Sequence, residues 1–279
     1  MVFSVVGLAW AQSSSDLARY QRAGGSGAAN MLWGTFGVIL PTLLILSWGG
    51  ILAASDPAFA EELARQPLTA LAGIVPEWFL VPLLAVTAFG LLSGAILAVY
   101  SGGLAVASAG LRTSRPIATL IAAALVAIVG VGLLAIGTDT RDVVRDVATT
   151  LAVPVAAWAG IFASEMMIRL RRFHAPSLLA KGGVYPAVRW VNLIGLLVIT
   201  ALGWGFTSAQ VAGLQWQGYL FGALGTAADD PWFTTDVGVL LALGLGVVLP
   251  LAAGIPAIRR QEQPIGSVDG RPSSGALVD

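Results

Sequence analysis

Six stretches of about twenty apolar residues, joined by short polar links, constrain this chain more than any other feature. They run roughly over 31–54, 79–110, 116–137, 147–168, 190–208 and 236–258. A hydrocarbon layer about 30 Å thick takes about twenty residues of helix, so each stretch is long enough to cross a bilayer. Lipid offers the backbone no hydrogen-bond partner, and each stretch is read as a helix. The expectation is an all-α integral membrane protein with six full transmembrane helices. Composition agrees: 57% of the residues are hydrophobic and only 11% are charged, against about 25% charged in a soluble domain.

The charges between the stretches set an orientation. Arg19, Arg22, Arg112, Arg115, Arg169, Arg171, Arg172, Lys181, Arg189, Arg259, Arg260 and Arg271 fall on one side when the links alternate, twelve of the fifteen basic residues. Arg65, Arg141 and Arg145 share the other side with ten acids, among them Asp56, Glu61, Glu62, Asp142 and Asp146. The arginine-rich side is expected to be cytoplasmic, with the C-terminus inside a plasma (inner) membrane. The link at 55–78 opens with Asp56 and Pro57, an N-cap followed by proline at the first helical position, and predicts a short surface helix. Residues 209–231, with Trp216, Tyr219 and Phe221, read as an interfacial loop, and the glycine, serine and proline content of 261–279 reads as a disordered cytoplasmic tail.

Several function classes drop out. The net charge is zero and the chain has no cysteine, so nothing indicates nucleic-acid binding, a thiolate metal site or a thiol nucleophile. The single histidine, His174, lies in a polar link between arginines and reads as a solvated loop residue. With no metal-ligand cluster and no positioned base, no enzyme activity and no cofactor are expected.

The stretch that the span pattern leaves over is "AWAQSSSDLARYQR", residues 9–22. An apolar run too short to cross ends in Gln12, Ser13, Ser14 and Ser15. A secretory signal is one reading, because Ala9 and Ala11 form an A-x-A pattern, but the run lacks a basic start, and cleavage would leave Arg19 and Arg22 on the wrong side. The other reading is a membrane helix interrupted in its middle, with the amide and hydroxyls serving freed backbone groups or a ligand. A frayed end capped by serines fits the spacing equally.

Quoted in full, "VVGLAWAQSSSDLARYQR" (5–22) resembles the sixth helix of the purine-cytosine permeases of the first nucleobase:cation symporter family, which end that helix with an acid, two spacers, an arginine and an aromatic, here Asp16, Leu17, Ala18, Arg19 and Tyr20. "LLSGAILAVYSGGLAVASAGLR" (91–112) is similar to the eighth helix, "VPVAAWAGIFASEMMIRLRRFHAPSLL" (153–179) to the tenth with its following loop, and "YPAVRWVNLIGLLVITALGWG" (185–205) to the eleventh.

The resemblance implies a partial leucine-transporter fold over residues 1–260, from helix six to helix twelve. It also implies that the first inverted repeat, half of the substrate and cation sites, is lost by truncation or supplied by another chain. The implied activity is inward transport of cytosine, a purine or a related nitrogenous heterocycle, coupled to a proton or sodium by alternating access. Trp10, Gln12, Ser13 and Ser14 would contact the heterocycle. The Ser93 hydroxyl, with carbonyls of Phe89 and Leu92, would contact the cation. Asp16 with Arg19, and Glu165 with Arg169, would form gate or structural ion pairs. A non-transporting membrane fragment or assembly partner is the alternative.

Overall fold

A computed structural model describes residues 9–11, 13–22, 25–111, 113–135, 140–170, 173–179, 183–226, 230, 232 and 235–269. Among these residues the chain is helical and contains no strand. Five helices are long and apolar enough to cross a membrane, Gly27–Ser55, Glu77–Ser108, Arg115–Leu133, Asp142–Ile168 and Val237–Gln263, which is the make-up of a multi-pass membrane protein. Two compact units divide the chain, Asp16–Gly130 and the combination of Met1–Ser15 with Val131–Asp279.

The unit Asp16–Gly130 is built from apolar helices with little mutual burial. Helix α3 (Gly27–Ser55) starts at an N-cap where the Ser26 hydroxyl accepts from the Ala29 N–H at 3.3 Å, and it buries none of its residues. A helix apolar on every side and unburied is suited to lipid rather than water. Asp56 caps α4 (Pro57–Arg65) as expected, its Oδ1 accepting from Ala58 N–H at 2.9 Å and Phe59 N–H at 3.3 Å. A second short helix, α5 (Pro67–Ile74), follows and again opens on proline. Helix α6 (Glu77–Ser108) then runs unbroken for 32 residues and meets α7 (Arg115–Ala135) closely, where a methyl on Gly103 would lie 2.6 Å from Thr119 Oγ1.

The other unit has a packed core. Helix α8 (Thr140–Ile168), α10 (Trp190–Gly205) and α12 (Val237–Leu249) enclose Ala152, Val153, Ala156, Ala157, Ile199, Val239 and Ala242. Mostly small residues make up this core, because close backbone approach supplies the van der Waals contact that drives helix association in lipid. Helices α8 and α12 touch through Gly160 and Gly246, and a methyl on Gly246 would lie 2.5 Å from the Ala157 carbonyl. Pro250 then ends the regular ladder. Lacking an N–H, it opens a π turn at Pro250–Gly254 before α13 (Ile255–Asp269) resumes the same span.

Three expectations need correction. The stretch expected to span at 190–208 is helical only over Trp190–Gly205, 16 residues, or about 24 Å of rise, short of a full crossing. The tail expected to be disordered from 261 instead continues as α13 to Asp269, with Gln261 and Glu262 buried and bonded to Arg169 and Leu170, just past the end of α8. The loop at 209–231 contains a short helix, α11 (Tyr219–Ala223), whose Phe221 is buried edge-on against Phe206 at 5.5 Å.

Candidate functional site

The expected interruption near the N-terminus falls between α1 (Ala9–Ala11) and α2 (Ser14–Ala18). A helix that stops leaves its last carbonyls without intrahelical donors. Here Ser13 N–H and Ser13 Oγ both bond to the Trp10 carbonyl, at 3.2 and 3.4 Å, and Ser14 Oγ donates to the Ala11 carbonyl at 2.9 Å. The serines therefore satisfy the broken backbone and still present oxygen lone pairs as acceptors. Trp10 stands beside the break with its ring partly exposed, and α1 lies against α8. Gln12 lies outside the described residues.

Phe89, Leu92 and Ser93 lie in mid-α6, which is α-helical throughout. The carbonyls of Phe89 and Leu92 therefore belong to the intrahelical ladder. These three residues belong to one unit and Trp10 with Ser13 to the other. Asp16 and Arg19 form no ion pair. Because α2 ends at Ala18, Arg19 leaves the helical register that would face it to Asp16, and its guanidinium sits over the Tyr20 ring at 5.4 Å.

Glu165 and Arg169 do pair, at 2.7 Å, within a larger cluster that sequence reasoning saw only in part. Arg189 Nη1 approaches the same Glu165 oxygen at 2.5 Å, and Asn192 Nδ2 donates to the other at 3.0 Å. Arg169 also donates to Gln261 Oε1 at 2.7 Å and stacks over Phe173 at 4.3 Å. Beside it, Glu262 accepts from the Leu170 N–H at 2.7 Å and from Arg259 at 2.9 Å. The Arg169 side chain is 5% exposed and that of Glu165 14%. A carboxylate between two guanidiniums, all largely out of water, ties α8, the start of α10 and α13 together. Arg189, Asn192, Gln261 and Glu262 escaped sequence reasoning because their partners are remote in the chain. The glutamate and glutamine just past the last span were the available signal. His174 is held locally, with Nδ1 2.8 Å from Ser177 Oγ.

At the other end of α8 lies a second polar cluster that sequence reasoning missed, nineteen positions before Glu165, or about 28 Å of helix. Asp146, counted in the sequence only as an extracellular charge, is 1% exposed. Its Oδ1 takes Arg145 Nε at 3.1 Å and Nη2 at 2.9 Å, and its Oδ2 takes the Gln210 and Val211 N–H groups at 2.6 and 3.0 Å. The loop after α10 is thereby fastened to α8, helped by Gln217 donating to Thr150 Oγ1 at 2.7 Å and Trp204 Nε1 donating to the Thr150 carbonyl at 2.9 Å. An asparagine at 146 offers one oxygen where two now serve, so one side of this junction loses its acceptor at a cost of about 2 kcal/mol. Asp146→Asn is therefore expected to speed hydrogen exchange of the Gln210 and Val211 amides by about 30-fold. Unchanged exchange would show that the loop is held by other contacts.

Among the described residues no group of His, Asp and Glu could hold a metal ion. Comparison with family models, with curated proteins and with solved structures gives no match to this chain.

Proposed function

We propose that the chain forms the second half of a secondary active transporter for cytosine, a purine or a related nitrogenous heterocycle, coupled to a proton or sodium. The observation that carries this reading is the turn at Ser13, between α1 and α2 and beside Trp10. Discontinuous helices build transporter binding sites near the bilayer midplane, and irregular backbone at that depth is tolerated only where protein or a cavity surrounds it. A flat heterocycle needs an aromatic face and a few fixed acceptors. Trp10 supplies the face, and the hydroxyl oxygens of Ser13 and Ser14 supply acceptors already oriented by their bonds to the helix end. The resemblance of 5–22, 91–112, 153–179 and 185–205 to purine-cytosine permeases supports the same class, with the arginine-rich links cytoplasmic.

Equilibrium binding tests this reading. The purified chain in lipid nanodiscs is expected to bind radiolabelled cytosine, hypoxanthine or allantoin saturably, and Trp10→Ala is expected to weaken that binding by about tenfold, the scale of one lost base–aromatic stack. If no member of the panel binds saturably, or if Trp10→Ala binds as tightly as the unaltered chain, the heterocycle reading fails, leaving the chain a membrane assembly component without a substrate of its own.

A further inference from the structure

Within the unit Asp16–Gly130, residues from three separate segments converge on one point, of which the transport reading draws only on Arg19 and Tyr20. The Tyr20 and Tyr100 hydroxyls lie 2.5 Å apart, and Arg115 Nη2, on the first residue of α7, donates to Tyr100 Oη at 3.1 Å. The Arg115 guanidinium also lies 5.5 Å from the centre of the Tyr100 ring, while Arg19 lies 5.4 Å from that of Tyr20. All four side chains are exposed or half-exposed. Arg19, Arg22 and Arg115 make no ion pair with any carboxylate among the described residues, and Asp16 is the one acid near them in sequence. A single bond to Tyr100 leaves most of the five guanidinium donors of Arg115 unspent.

The place of the cluster narrows what would fill it. Tyr100 sits two turns before the end of the apolar α6, Arg115 opens the apolar α7, and Leu17 and Leu111 lie exposed nearby in sequence. Tyrosines at a helix end mark the headgroup level of a bilayer, and unpaired arginines there attract anionic lipid. The Arg115 guanidinium is held beside Tyr100 by one hydrogen bond and by its ring, and its remaining planar N–H donors suit a phosphate. The hydrogen bond from the Tyr100 hydroxyl, helped by the Arg115 guanidinium, holds the Tyr20 phenol below the usual tyrosine range.

We infer that Tyr20, Tyr100, Arg115 and Arg19 form a binding site for the phosphate of an anionic phospholipid, which joins the segment before α3 to the α6–α7 turn. A lipid is the chosen occupant over soluble phosphate because the donors border apolar helix surface that acyl chains would cover. Native mass spectrometry of the full chain, titrated with phosphatidylglycerol or phosphatidylcholine, tests it. Phosphatidylglycerol is expected to be retained in preference, and Arg115→Gln and Arg19→Gln should each reduce its retention by about fivefold while leaving phosphatidylcholine unchanged. Arg65→Gln, at a charge paired with Glu61 in α4, serves as the control that should change nothing. Far-UV circular dichroism verifies folding, and if Arg115→Gln does not fold, the exposed Arg19→Gln decides. Equal retention of the two lipids, or an unchanged preference in the folded arginine variants, would overturn the site. Displacement of the bound lipid by excess inorganic phosphate would assign it to a soluble anion instead.

Discussion

Replacing Glu165 by glutamine is expected to cost the α8–α10–α12 unit about 3 to 5 kcal/mol, the range for removing one partner of a buried ion pair. Glu165 faces both Arg169 and Arg189, and Asn192 donates to its second oxygen. Glutamine keeps the shape but leaves two guanidiniums in a space where water reaches them poorly. Arg169 retains Gln261 and the Phe173 ring, so the larger part of the loss falls on Arg189. A second substitution, Arg189→Gln, should therefore recover part of the stability, and the two changes should depart from additivity by about 1 kcal/mol or more. Unfolding in mixed micelles, followed by far-UV circular dichroism, measures all three variants. A loss below about 1 kcal/mol in Glu165→Gln would show that the cluster behaves like a solvated surface pair.

The cluster also marks where the sequence stops being informative. Asp56 with Pro57 announced α4 because capping is chemistry between near neighbours, and the span helices begin and end close to where apolar runs begin and end. The Glu165–Arg169 pair was legible for the same reason, four residues being one helical turn. Arg189 and Glu262 were not legible as its companions. They reach it only because α10 and α13 pack on α8, and the composition around Glu262 resembled a solvated tail. Asp146 shows the same blindness in reverse, since a carboxylate that binds backbone N–H groups of a loop beginning sixty residues later looks, in sequence, like any other surface acid. The short helix at Trp190–Gly205 was overestimated because apolar residues continue past the point where the Phe206 N–H turns back to the Gly203 carbonyl. At the candidate site, the break at Ser13 followed from the serines, whereas the regular ladder through Phe89 and Leu92 did not follow from any residue type.

On the proposed function these 279 residues form one half of an alternating-access machine, contributing the discontinuous helix at Ser13 where a closed site in this architecture uses two. A heterocycle on Trp10 and the Ser13 and Ser14 hydroxyls would be contacted from one side only. It could bind, but it could not be sealed from both faces of the membrane in turn. On that reading, converting an ion gradient into accumulation requires a second discontinuous helix from a partner. Proteoliposomes loaded with the purified 279-residue chain, under an imposed proton or sodium gradient, measure this directly. The expected result is no concentrative uptake of cytosine, hypoxanthine or allantoin by the chain alone, and saturable concentrative uptake once a five-helix partner carrying the other discontinuous helix is reconstituted with it. Gradient-driven, saturable accumulation by the chain alone would contradict the account, because it would show that a single interrupted helix, or an assembly of identical chains, completes the site.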